Sequence, residues 1–231
     1  MTAERANLNV VDSWIIFLFY DGPTPPAGIF ADFIDANPLL DTTRTRTYAD
    51  MMALSNWVVI KASVIDIATE TIPLPSAANA EEVMETLHKH WRNISSTTLL
   101  VPGIVASIAW QPFQKKIAQK ARSLGPDLID ADDSVDRIII EMNYAFLPQS
   151  LYQQMADTME ATYTGVRNRV LAWQESGILP QAYLPLFMNY GFYRQDYFGR
   201  LKPEMRALAR RVSEQVDPTG FFRDRTGGWK P

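Results

Sequence analysis

The chain of 231 residues contains no cysteine and only two histidines, and each scarcity removes a class of chemistry. Without cysteine there can be no disulfide, thiolate zinc site, iron–sulfur cluster or cysteine nucleophile, although the compartment stays open. His88 and His90 stand two apart in a stretch that reads as helix. They therefore face different ways, whereas two ligands to one zinc on a helix need a spacing of three or four. No metal site is expected. No Gly-x-Gly-x-x-Gly, Gly-Lys-Ser/Thr or Gly-x-Ser-x-Gly occurs, so phosphate-cradling loops and the esterase elbow are absent too. Charge of one sign is also lacking: 22 basic against 26 acidic residues give a net −4, with no general pull toward nucleic acid or anionic membrane. The apolar run Trp14–Tyr20 is far shorter than the roughly 20 residues of a membrane span, and it is bounded by Asp12 and Asp21. No cationic start leads into it as a signal peptide requires. A soluble chain of unspecified compartment is expected, with neither nucleic acid nor membrane as partner.

What is present suits one sizeable core, with 47% apolar residues and 11% aromatic. Trp14–Tyr20 is short, aromatic and β-branched and predicts a buried strand. Gly22–Arg46, rich in Pro and Thr, predicts a surface stretch with a short helix near Ile29–Ala36. Trp57–Ile65 alternates as a half-buried strand. Asn79, with Glu82 three residues on, reads as a capping box opening a helix with Val83, Leu87, Trp91 and Ile94 on its inner face. Strand structure follows in Thr97–Phe113, broken at Pro102-Gly103, then a basic helix through Lys115, Lys116 and Lys120, then the acidic loop Asp127–Asp136. That loop lacks the glycine and terminal glutamate of a calcium loop and reads as solvated.

Arg137–Phe146 alternates cleanly, Ile138, Ile140, Met142, Tyr144 and Phe146 on one face and Glu141 and Asn143 on the other. A long helix is predicted from about Ser150 to Glu175, an aromatic strand over Tyr183–Tyr193, and a last helix from Pro203. That helix buries Met205, Leu208, Val212 and Val216, and a glycine-rich tail loop follows. Strands and helices interspersed without strict alternation predict an α+β fold. The expected form is an antiparallel sheet with helices packed on one face, the other face open to a cavity or a partner. No repeat or linker divides it, so residues 1–231 form a single domain.

Glu141 stands out, a carboxylate planted in an apolar strand. Under a covered cavity, desolvation would raise its pKa and suit it to general-base work; an exposed or salt-bridged glutamate is the competing reading. Asn189 and Tyr190, in Leu186–Gly191, are polar groups in an aromatic stretch, readable either as site residues or as a hydrogen-bonded core pair.

Asn189-Tyr190, Gln195-Asp196, the run Val216-Asp-Pro-Thr-Gly-Phe-Phe222 and Gly227-Gly-Trp-Lys230 follow in order. With Phe19-Tyr-Asp-Gly-Pro23, Asp41–Asp50 and Trp110-Gln-Pro112, the sequence resembles fungal berberine-bridge-enzyme-like FAD-linked oxidoreductases over nearly its whole length. The resemblance implies a substrate-binding-type domain, one lobe of a larger two-domain architecture whose N-terminal flavin-binding half lies outside this chain. It implies FAD as cofactor, Glu141 as the catalytic base, Asn189 beside the flavin and Tyr190 in the catalytic wall. Asn143, Phe187 and Phe192 would line the substrate pocket. Phe187 stands where the family's Tyr-x-Asn motif has its tyrosine, so a phenolate base is excluded there. The tail departs too, with Arg225-Thr226 where proline is usual.

The expected function is the substrate half of an FAD-linked oxidoreductase acting on a small secondary metabolite, with hydride transfer to a flavin supplied by another half. A flavin-free descendant acting as a cyclase, isomerase or ligand-binding pseudoenzyme, and a non-catalytic interaction module, are the alternatives. An exposed aromatic patch around Phe187, Tyr190 and Phe192 would call for a flavin-domain partner or self-association.

Overall fold

In the computed structural model, which describes residues 1–54, 61–125 and 127–231 (the side chains of Asn7 and Leu54 excepted), Arg137–Phe146 is a strand, β5. Its even-numbered residues Ile140, Met142, Tyr144 and Phe146 are fully buried on one face, as the alternation requires. Four further strands join it: β1 Thr2–Ala6, β2 Val11–Ile15, β3 Val64–Pro73 and β4 Val105–Phe113. The sheet is antiparallel throughout, in the order β2-β1-β4-β5-β3.

The helices, in chain order, are α1 Ala31–Ile34, α2 Tyr48–Leu54, α3 Ala80–Ser96, α4 Lys115–Leu124, α5 Tyr152–Glu175, α6 Pro203–Val216 and α7 Phe221–Arg225. α3 buries Val83, Leu87 and Trp91, and α5 buries Met155, Met159, Val166 and Val170, all in one core with the inner face of β5. Arg5, on the inner face of β1, donates to Arg92 O, Ser95 Oγ and Ser96 Oγ at 2.9–3.1 Å in the last turn of α3, where free carbonyls favour a cation. Arg92 in turn grips Asp12 of β2 at 2.7 and 2.8 Å. No helix of the described residues is long and apolar enough to cross a membrane.

The histidines take packing positions. His88 stacks on Trp14 at 4.8 Å, and His90 Nε2 lies 3.0 Å from Thr162 O in α5. The His90 ring fills the space that a Cβ at Gly165 would need, which accounts for a glycine in the middle of a helix.

β3 explains the wrapping of the C-terminal segment. It is an outer strand, and an unpaired edge invites strand addition. Here the Gln195 side chain closes it: Nε2 donates to Thr69 O at 2.7 Å, while Oε1 accepts from Thr69 N at 3.3 Å and Phe192 N at 3.0 Å. Thr71 Oγ1 donates to Pro185 O at 2.7 Å. Glu70, 1% exposed, receives both arms of Arg200 at 2.8 and 3.0 Å, with Arg167 of α5 at 4.0 Å. Asp66 is buried on the same strand with Oδ2 unpartnered among the described residues, and burial pushes its carboxyl up to about 6.

Several expectations are corrected. The strand expected over Trp14–Tyr20 ends at Ile15, because β2 is an edge with one neighbour, and Phe17 and Phe19 are 71% and 68% exposed. Within Trp57–Ile65, residues 57–60 lie outside the described residues, and β3 begins only at Val64. Tyr183–Tyr193 is not a strand: it is extended chain with a 3-10 turn at Met188–Tyr190, fastened by side chains instead of a ladder. Asn79 does not cap α3; its Nδ2 donates to Ile178 O at 3.0 Å. Val212 and Val216 are exposed at 44% and 72%, since of α6 only Ala209 is fully buried. The tail contains α7 in place of a plain loop.

Candidate functional site

The face of the sheet turned away from α3 and α5 is laid out by its register. Glu141 lies between Ala109 of β4 and Thr69 of β3, with Thr2 of β1 beyond Ala109. The adjacent row runs Glu4, Ser107, Asn143 and Ile67, and the row on the other side runs Gln111, Ile139 and Thr71. Thr2, Glu4, Ser107, Ala109, Gln111, Glu141 and Asn143 are half-buried, whereas Thr69, Thr71 and Ile139 are buried, so this face is a floor over β1, β4 and the C-terminal half of β5 and is closed toward β3. Alanine opposite Glu141 leaves its carboxylate room above that floor.

Gln111 is the centre of the polar contacts. Its Nε2 donates to Glu141 Oε2 at 2.9 Å, and its Oε1 accepts from Tyr190 Oη at 3.5 Å. The Phe187 ring packs beside Tyr190 with centroids 5.2 Å apart, so the 3-10 turn stands as an aromatic wall at one end of the floor. Burial pushes the Glu141 carboxyl upward from its ordinary value, and the Gln111 hydrogen bond opposes that rise. Burial pushes Glu4 upward as well. Among the described residues, neither carboxylate has a salt-bridge partner.

The structure thus brings together Glu141, Tyr190 and Phe187, with Asn143 one step along the same strand face. Asn189 is exposed on the 3-10 turn, and its side chain makes no hydrogen bond among the described residues. Phe192 stands apart. It is 3% exposed in the core on the helix side, with Tyr163 of α5 at 6.2 Å, so it does not extend the aromatic patch expected with Phe187 and Tyr190. Those two are themselves half-buried.

Gln111 and Glu4 escaped sequence reading as site residues. For Gln111 a signal existed, since Val105, Ser107, Ala109 and Gln111 alternate onto the face that Glu141 shares. For Glu4 the signal was faint: Thr2–Ala6 is short and has few strand formers.

Cavities elsewhere are unrelated to this floor. A groove of ≈ 530 Å³ lies under α6 and the tail, among Leu128, Phe198, Val212, Phe222 and Trp229. Another, of ≈ 790 Å³, runs between α3 and α5.

The chain is similar to an FAD-linked oxidoreductase. An uncharacterized FAD-linked oxidoreductase of Arthroderma benhamiae is 28% identical to it over 218 residues. The match covers 94% of this chain and 44% of the relative, so the chain spans less than half the length of the protein it matches. No family model and no solved structure matches.

An FAD site needs two things, a surface for the ring and a cradle of backbone amides for the pyrophosphate, usually a glycine-rich turn at a helix N-terminus. The floor and its aromatic wall suit the first. The second is not found among the described residues: α3 opens at Asn79-Ala80, the first amide of α4 is taken by Asp136, α5 follows a 3-10 turn, α6 starts at Pro203, and the short α7, though it follows Gly220, has the Arg223 amide taken by Asp217. These residues fit the substrate side of a ring held by other residues, and they do not fit the dinucleotide.

Proposed function

We propose that this chain is the substrate-binding part of an FAD-linked oxidoreductase of the berberine-bridge type, acting on a small secondary metabolite. The observation that carries the reading is the half-buried Glu141 carboxylate, hydrogen-bonded at 2.9 Å to Gln111, which links it to the Tyr190–Phe187 wall beside the half-buried part of the sheet face. The similarity to an FAD-linked oxidoreductase over 94% of the chain supports it.

A flavin held by a flavin-binding half, in another segment or another chain, supplies the two-electron acceptor. This chain's own residues bind the substrate and receive its proton. Phe187 and Tyr190 offer ring faces to an apolar body, and Asn143, Ser107 and Glu4 offer polar contacts one row away. Glu141 takes the proton lost by the substrate. A carboxylate whose pKa is raised by desolvation is a stronger base than one in water, and its position on a central strand holds it rigid. The half-buried floor is then also the surface that meets the flavin-binding half or, in its absence, a second copy.

The test is the visible absorption of the purified chain after incubation with FAD and removal of free ligand, alone and co-expressed with the N-terminal half of the Arthroderma relative. A flavin band retained only with the partner half supports the reading. Glu141→Gln in that assembly is then expected to lower turnover at least a hundredfold while leaving the flavin band in place. Unchanged turnover would remove Glu141 as the base.

A further inference from the structure

We propose that Gln111 is a positioning residue that keeps Glu141 a proton acceptor and Tyr190 a hydroxyl donor, dividing labour between the two groups at the floor's edge. This rests on the reading of Glu141 as the base. A carboxylate can only accept, so the end of the amide that faces Glu141 must be its NH2, and Nε2 stands 2.9 Å from Oε2. The other end is then the carbonyl oxygen, which cannot donate, and Tyr190 Oη must point its hydrogen at Oε1, 3.5 Å away. One amide thereby fixes the direction of both hydrogen bonds.

The backbone makes this arrangement rigid. Gln111 faces Ile139 on β5, one register step from the Ala109–Glu141 pair, so the two polar side chains meet diagonally across neighbouring strands. Pro112 follows, and the residue before a proline is confined to extended backbone. Ala109 is too small to obstruct the diagonal. Among the described residues, no other side chain hydrogen-bonds Glu141. The opposing influences on the Glu141 pKa agree: burial raises it and the Gln111 bond lowers it, so loss of the amide should leave burial unopposed.

The experiment is a carboxyl 13C NMR pH titration of the full chain, with the Glu141 signal identified by its loss in Glu141→Gln. Gln111→Met is expected to weaken the acidity of Glu141 about tenfold or more, the size of one hydrogen bond to a charged group. Tyr190→Phe, which touches only the far end of the amide, should leave that midpoint in place. Gln111→Glu keeps the shape but sets a second carboxyl beside the first. Even if Gln111→Met fails to fold, this variant should split the pair into an early and a late titration. An unmoved midpoint in Gln111→Met, or a single ordinary titration in Gln111→Glu, overturns the proposal, as does a Tyr190→Phe shift as large as that of Gln111→Met. Turnover does not enter these measurements. A midpoint that moves while Glu141→Gln retains full turnover therefore keeps the pairing and removes the base assignment.

Discussion

Removing the Arg200 guanidinium tests how the C-terminal segment is fastened to the sheet. Glu70 is 1% exposed and receives two charge-assisted hydrogen bonds from Arg200 at 2.8 and 3.0 Å. Arg167 is nearby, but at 4.0 Å it makes no hydrogen bond. Arg200→Met keeps the stem and deletes the fork, leaving a buried carboxylate without a hydrogen-bonded cation. Such a break costs about 3–5 kcal/mol, which includes the Arg200 bond to Leu184 O. In a domain of this size that lowers the melting temperature by roughly 6–20 °C. Urea unfolding followed by tryptophan fluorescence gives the free energy directly. Glu70→Gln added to Arg200→Met removes the orphaned charge and should recover much of the loss. A single variant within about 1 kcal/mol of the parent, or a double variant no better than the single, would refute the reasoning.

Two further predictions concern the same strand. Asp66 has a native pKa raised to about 6 by burial, so its contribution to stability is fully present below its unfolded value of 3.8 and is lost as pH rises through about 6. Asp66→Asn should therefore raise stability at pH 8 relative to the parent and change little at pH 4, read from paired urea titrations. Gln195→Leu removes the side chain that closes the β3 edge. Amide hydrogen exchange at Thr69 and Phe192, whose N–H groups it accepts, should accelerate at least tenfold while the amides of β5 stay protected. Equal protection at those two sites in parent and variant would show that water or neighbouring chain closes the edge instead.

How much of this was legible depends on how a residue is held. β5 is read to the residue because nothing interrupts its alternation, and α5 because its inner stripe repeats at helical spacing over many turns. β3 is invisible to the same method: Asp66, Thr69, Glu70 and Thr71 are buried by partners distant in sequence, among them Arg200 and Gln195, so their polarity hides the strand. Tyr183–Tyr193 misleads the other way, with strand-like residues whose backbone is satisfied by Gln195 and Thr71 side chains. At the floor, Glu141 is conspicuous because its apolar neighbours are consecutive in sequence. Gln111 becomes meaningful only when the register of β4 against β5 is known, and Glu4 only when β1 is seen to pair with β4.

That last pairing also sets an order of assembly. Thr2 pairs with Ala109 and Ala6 with Val105, so β1, although it pairs with β2 close by in sequence, joins the middle of the sheet only through β4, about a hundred residues further on. β4 and β5 are much closer in sequence and form the middle of the sheet, on which β3 and the N-terminal hairpin close from opposite sides. The strand bearing Glu141 is therefore part of the central pair, while the hairpin bearing Glu4 closes on it from one side. Loss of the β1–β2 hairpin would leave Glu141, Gln111 and the Phe187–Tyr190 wall on the remaining strands and remove only one side of the floor.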